Sequence, residues 1–311
     1  MAKKKKENDI VTDGSRAITK FHVSDVVMVV ILVILCATCV VPFIHLLAKS
    51  VSSNTAVLAK RVSFWPIGFN LDAYTSIFED GSMVRSFLYS VVVTLVFTLM
   101  GMIACTCAAY PLSRKRLKGR TFFTFILMFP MYFSAGLIPT YLLYSDLHML
   151  DTVWVLILPL IYAPYNMLIM KTYFQSNIPD SLEEAAFLDG ATNFQIIWKI
   201  VLPLSKPILA TVALFSAVSA WNSYMDTLLY ITDSSLYTLQ FTLYEYLNQA
   251  TSIASSINSM TDVSALDKAT QISTTSVRNT MAVVTIIPII CVYPFIQRYY
   301  VQGVMIGAVK G

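Results

Sequence analysis

Six long apolar blocks decide what this chain can fold into. They are Val26–Leu47, Phe87–Tyr110, Phe122–Tyr144, Val153–Met170, Ile208–Tyr230 and Met281–Tyr300, and charge is nearly absent inside them. Each approaches the roughly 20 residues that a helix needs to cross a bilayer. Backbone groups in lipid have no water to bond, so such blocks are expected to be helices. The expected fold class is therefore all-α integral membrane, with six transmembrane helices. Composition agrees: 56% of the 311 residues are hydrophobic and 13% are charged, against about a quarter charged in a soluble domain.

The first block follows a basic leader, Lys3–Lys6, as a signal peptide would. It is longer than a usual signal core, and Pro42, Phe43, His45 and Leu46 stand where small residues would mark a cleavage site. It is read as a span. With the N-terminus inside, the inner segments (residues 1–24, 111–120, 171–207 and 297–311) hold 16 of the 22 Lys and Arg, and the outer segments hold 6. The excess of cations inside places both termini in the cytoplasm. The net charge of +4 is thus a sign of membrane orientation, and gives no reason to expect nucleic acid. The five cysteines, Cys36, Cys39, Cys105, Cys107 and Cys291, all fall in expected spans, where they read as small buried hydrophobes.

Between the spans, residues 1–24 form a lysine-rich tail. The outer segment 48–85 carries a short amphipathic element, Leu71–Phe78. Two longer connections remain: a cytoplasmic loop, 172–207, and an external loop, 231–280, whose stretches Leu239–Leu247 and Val263–Ile272 are expected as amphipathic helices. Residues 25–311 are taken as one transmembrane domain.

The cytoplasmic loop reads PDSLEEAAFLDGATNFQIIWKIVLPLSKP from Pro179 to Pro207. Asp180 or Ser181 is expected to cap a helix whose first turn holds Glu183 and Glu184, where the dipole favours carboxylates. Gly190 then permits a turn that other residues resist. A second helix, Phe194–Val201, is expected to show one apolar face of Phe194, Ile197, Trp198 and Val201, and to stop at Pro203. On patterning alone, an amphipathic connector resting on lipid is an equal reading.

A resemblance decides between them. Glu184-Ala185-Ala186, three residues, Gly190, nine residues, Ile200, one residue and Leu202-Pro203 is similar to the EAA loop of ABC-importer permeases, matched at full spacing and between the fourth and fifth of six spans. Asp189-Gly190-Ala191, Leu202–Pro207, Trp221-Asn222 and the ending Gly307–Gly311 resemble the maltose-type carbohydrate permeases. The resemblance covers most of the chain from about Ser86; the long external loop looks like the branch that handles complex or polysaccharide-derived oligosaccharides.

The resemblance implies a type I ABC importer permease fold with cytoplasmic coupling helices, in a bacterial cell membrane. It implies a second permease subunit, as a heterodimer, two ATPase subunits and an extracellular sugar-binding protein as partners. ATP and Mg would sit on the ATPases; this chain has no GxxxxGK[ST] loop and is expected to bind no cofactor. Glu184, Ala185, Ala186, Gly190, Ile200, Leu202 and Pro203 would couple it to the ATPase.

For sugar contact, aromatic faces and amides are wanted. Tyr162, Tyr165, Asn166, Trp221, Asn222 and Tyr224 supply them, although Trp and Tyr gather at membrane interfaces anyway. His22, His45 and His148 are scattered and have no partner at ligand spacing, so neither a metal site nor catalysis is expected. An ABC permease for another solute, such as a peptide or polyol-phosphate, is the alternative. A secondary transporter would bury ionisable groups in mid-span; the only candidate is Asp226, near the outer end of the fifth span.

Overall fold

The computed structural model describes residues 23–79, 81–259, 276–294 and 297. The expected tail up to residue 22, the stretch Val263–Ile272 and the ending Gly307–Gly311 lie outside them. The described residues are mainly helical, with no strand beyond one antiparallel bridge, Ser52 to Phe69. The chain divides into two units, residues 1–45 and 46–311.

The first unit contains most of α1 (Val23–Ser50). Every residue from Val26 to Leu35 is exposed. A helix that is apolar all round suits lipid and not water.

The second unit is organised on α4 (Ser82–Ser113), a helix about 48 Å long at 1.5 Å per residue. Buried Met83, Ser86, Ser90, Val93, Phe97, Gly101, Cys105, Ala109 and Leu112 recur every three or four positions and form one stripe, which widens at the last turn to take in Tyr110 and Ser113. Leu88, Val92, Leu95, Leu99 and Ile103 are exposed between them. Against the buried stripe pack α8 (Pro164–Asn177) and α12 (Lys206–Asn222). At one end Cys105, Ala109 and Leu112 meet Met167, Met170, Phe174, Ile208 and Val212 in the main core. At the other end Val93 packs with Val155, Leu156, Ile157, Tyr230 and Ile231.

Three of the expected spans are not single straight helices. In 122–144, α5 (Arg120–Met128) ends in a tight turn at Phe129–Met131, and α6 (Leu137–Asp146) begins after Gly136, whose φ is +87°. Pro130 and this left-handed glycine break the ladder. In 153–170, α7 (Val153–Ile157) leads through Pro159 to a gap at residues 161–163 before α8, a bend of 44°. Prolines at 159 and 164 remove the bonding N–H groups there. In 208–230, α12 breaks at Ser223 before α13 (Met225–Tyr230), and Ser223 donates to the Asp226 carboxylate at 2.5 Å. Three described helices are long and apolar enough to cross a membrane alone, or up to five segments if bent pairs count as one.

On the outer side by the charge reading, α3 (Asp72–Glu79) occupies the short amphipathic stretch. The helix expected at Leu239–Leu247 continues to Ser259 as α14. Its first turn is not free on a surface. The Leu239 N–H donates to Ser90 Oγ at 2.7 Å, and Thr242 Oγ1 donates to Ser86 Oγ at 3.0 Å, so α4's buried serines receive it. The last described helix, α15 (Ser276–Pro294), begins five residues before the expected 281. The turn at 144–152 is tied to the end of α13: the Asp151 N–H donates to Tyr230 O at 3.0 Å, and its carboxylate accepts from Thr232 N, Thr232 Oγ1 and Asp233 N.

Candidate functional site

The loop between α8 and α12 is built as two helices set apart by a formal stop. Pro179, extended at φ −62° and ψ 141°, holds the cap position of α9 (Asp180–Leu188) and brings no side-chain cap. The expected cap residues Asp180 and Ser181 are therefore inside the helix, because proline's fixed φ suits the entry to its first turn. Gly190, at φ +80°, ends it. The Ala191 N–H bonds to Ala186 O at 2.9 Å and the Gly190 N–H to Phe187 O at 3.0 Å, the paired bonds of a Schellman stop. Nothing lies within 4 Å of where a Gly190 Cβ would stand, so the demand for glycine is conformational and not steric.

The second helix starts from a reciprocal cap. Gln195 N donates to Thr192 Oγ1 at 3.3 Å and Thr192 N donates to Gln195 Oε1 at 2.9 Å. After α10 (Asn193–Ile196) the chain widens into a π-helical stretch, Ile197–Val201, then closes in α11 (Leu202–Leu204). The path turns by 83° into α12. The extra residue per turn changes which side chains share a face. The expected face of Phe194, Ile197, Trp198 and Val201 is consequently split. Val201 is fully buried and Ile197 packs on the main core, beside Ile196, which the sequence reading did not single out. Phe194 and Trp198 are 69% and 58% exposed, with ring centroids 6.0 Å apart.

Glu183 and Glu184, adjacent in sequence, have opposite surroundings. Glu183 is buried, and Arg114, buried to 3% exposure, brings Nη2 within 2.8 Å of its Oε1; the contact is ionic and lacks hydrogen-bond alignment. Arg114 Nη1 also donates to Ile178 O at 3.0 Å and lies 3.3 Å from Asp180 Oδ1. Arg116 stands over the Phe187 ring at 4.6 Å and donates to Asn193 Oδ1 at 2.9 Å. The basic turn after α4 thus grips both loop helices. Arg114 and Arg116 were legible only as topology signals, although the acidic run 180–184 is their natural complement.

Of the residues assigned to coupling, Glu184, Ala185, Gly190 and Pro203 are exposed. Ala186 is buried in the main core, Ile200 packs against it, and Leu202 is half-buried. Leu188, 90% exposed, lies beside the exposed set.

The residues assigned to sugar contact are dispersed. Tyr162 is half-buried and donates to Leu127 O at 2.6 Å. Tyr165 is exposed. Asn166, buried on α8, donates to Ser216 Oγ of α12 at 3.3 Å. The Trp221 ring is buried edge-on to Phe87, and its N–H is taken by Thr285 O at 3.1 Å, so it offers no open face beside Asn222. Asn222 is exposed; its amide donates to Val218 O at 2.9 Å, and its oxygen lies 3.4 Å from Gln240 Nε2. Tyr224 stacks on Tyr244 of α14 at 5.0 Å. Gln240 and Tyr244 therefore join Asn222 and Tyr224 in one patch, which only the return of α14 brings together. All five cysteines are free thiols. Among the described residues no group of His, Cys, Asp and Glu could hold a metal ion.

Helices long and apolar enough to cross a membrane, others packed on α4, and a two-helix loop joined to them define a membrane-embedded protein. The chain belongs to the family described as the binding-protein-dependent transport system inner membrane component, which matches residues 22–306. It is 41% identical over 88% of its length to the polygalacturonan/rhamnogalacturonan transport system permease protein YtcP of Bacillus subtilis, covering 93% of that protein. It is 36% identical to protein LplC of Bacillus subtilis, over 88% of this chain and 90% of that one. The fold is that of a type I ABC importer permease. A chain in the crystal structure of a bacterial ABC transporter involved in the import of the acidic polysaccharide alginate superposes with a TM-score of 0.79 at 31% identity, covering 90% of this chain and 99% of that one. The chain is thus a membrane-embedded permease subunit of an ABC transporter and not an enzyme.

Proposed function

We propose that this chain forms half of the pathway of an ATP-driven, binding-protein-dependent importer of an oligosaccharide cut from an acidic polysaccharide. A second permease chain supplies the other half, two ATPase subunits bind ATP and Mg below, and an extracellular binding protein delivers the sugar. Six crossings are made by α1, α4, α5 with α6, α7 with α8, α12 with α13, and α15, with both termini cytoplasmic by the charge count.

The observation that carries the coupling role is the two-sidedness of the loop 178–205. One side is fixed to the chain's own core by Arg114, Ala186, Ile196 and Val201. The other offers Glu184, Ala185, Leu188, Phe194 and Trp198 outward. A rigid apolar-and-acidic surface held beyond the spans suits a protein cleft; Glu184 would meet a cation there, and Ala185 would let the partner approach closely. The substrate class rests on the relatives named for polygalacturonan/rhamnogalacturonan and for alginate.

The test is reconstitution of the full complex with its binding protein in vesicles. Galacturonate oligomers are expected to stimulate ATP hydrolysis and to accumulate inside, and neutral arabinose oligomers to do neither. Uptake driven by an ion gradient without ATP would make the protein a secondary transporter. Stimulation by neutral oligomers alone would change the substrate class and leave the coupling role intact.

A further inference from the structure

The basic turn after α4 does more than grip the coupling loop. Between it and the second loop helix lies a cavity of about 470 Å³, walled by Tyr110, Arg116, Leu117, Lys118, Asn193 and Ile197, among others, and no carboxylate lines it. Arg114, at its back, is already neutralised by Glu183 and Asp180. Arg116 is held in place by Asn193 and the Phe187 ring, with Glu183 no nearer than 3.9 Å. Lys118 has no ion pair among the described residues. The cavity therefore offers one cation with no ion pair among the described residues, Lys118, and one loosely paired with Glu183, Arg116, with no carboxylate on its lining.

What adjoins it names the anion. α5 starts two residues after Lys118 and exposes Phe122, Phe123, Phe125 and Ile126 along its length, and Phe129 follows in the turn after it. A soluble phosphate would have no use for that apolar face, whereas a lipid needs both parts: a cationic pocket for the headgroup and an apolar track for the chains. We propose that the cavity binds the phosphate of an anionic phospholipid headgroup, with the acyl chains lying along α5. The bound lipid would bridge the turn 110–118 and the coupling loop at Asn193. Lipid composition would then act on the loop that couples to the ATPase.

The test uses the whole complex in vesicles of phosphatidylcholine with or without phosphatidylglycerol, and reads the lipid retained after gentle detergent extraction by native mass spectrometry. The wild-type complex is expected to retain phosphatidylglycerol in preference to phosphatidylcholine. Arg116→Gln with Lys118→Gln should cut that preference by about thirtyfold, the effect of two interfacial cations. Lys118→Gln alone, which breaks no ion pair among the described residues, should cut it by about fivefold. Lys115→Gln, off the cavity lining, should leave it nearly unchanged. Equal retention of phosphatidylglycerol by the wild type and both cavity variants would overturn the proposal. So would displacement of that lipid by millimolar inorganic phosphate, which would assign the cavity to a soluble anion.

Discussion

Arg114 and Glu183 stand 2.8 Å apart with almost no water around either, one at the end of α4 and the other in the first turn of the loop helix α9. A buried pair of this kind is poor evidence of net stability, because taking two ions from water costs about what their attraction returns. Losing one partner is another matter. Arg114→Ala should destabilise the folded chain by about 3–5 kcal/mol, since Glu183 would be left charged and buried. Arg114→Met with Glu183→Leu should recover most of that loss. Thermal unfolding of purified complexes would check both, and an Arg114→Ala complex as stable as wild type would show that water reaches Glu183.

The stop at Gly190 gives a second expectation. Its φ of +80° costs a residue with a Cβ roughly 1–2 kcal/mol, more if β-branched. Open space around the position means that no clash adds to this. Gly190→Val should therefore insert at wild-type abundance but misdirect the second helix and abolish transport. Gly190→Asn, which tolerates the left-handed region, should keep most activity. Equal uptake by both variants and wild type would remove the bend from the coupling role.

The stop of the first loop helix is legible from sequence because Gly190 acts locally, through its own backbone; the side-chain cap of Thr192 and Gln195 is not foreseen, and Pro203, expected to end the second helix, lies inside a helical run that turns only at Ser205. The apolar blocks are legible for a similar reason: a run of uncharged residues needs no partner to declare itself. Contacts between distant segments leave no such trace. The ion pair of Arg114 with Glu183 joins positions 69 residues apart, and in the sequence both look like solvated charges. Nor does hydropathy reveal that α14 returns to Ser86 and Ser90, which brings Gln240 and Tyr244 up to Asn222 and Tyr224. The breaks at residues 132–136, 161–163 and 223–224 are hidden because proline and serine interrupt a helix without interrupting its apolar composition.

On the opposite side, the Asp151 carboxylate accepts hydrogen bonds from Thr232 and Asp233, which hold its pKa below the ordinary 3.8. A depressed carboxylate adds stability that is fully present above its unfolded pKa and is lost as pH falls through the folded value. The tie between residue 151 and the end of α13 should hold from pH 7 down to about 4 and loosen below that. Hydrogen exchange of the Thr232 and Asp233 amides should quicken at low pH once corrected for intrinsic rates. Asp151→Asn should remove this pH dependence. Unchanged protection across pH 3 to 6 in the wild type would mean that the clamp does not depend on the charge.

Asn166 and Asn222 were equal candidates for sugar contact as amides in apolar segments, and their surroundings now give them different expectations. Asn166 is buried and spends a donor on Ser216, joining α8 to α12. Asn166→Ala leaves that hydroxyl unpaired between two helices, at a cost of about 1–3 kcal/mol, so the amount of assembled complex should fall while sugar preference is unchanged. Asn222 is exposed at the last turn of α12, where one amide hydrogen serves Val218 O and the second remains available. Gln240 sits beside it, and the stacked pair of Tyr224 and Tyr244 is close in the chain to both. Asn222→Ala should leave assembly and basal ATP hydrolysis intact, and raise the sugar concentration for half-maximal uptake roughly three- to tenfold, as loss of one hydrogen bond would. Gln240→Ala should act in the same direction, and the double variant should fall short of additivity because the two amides share a bond. If Asn222→Ala instead lowers assembly and spares the half-saturating concentration, the patch holds α12 to α14, and the sugar is read by the second permease chain.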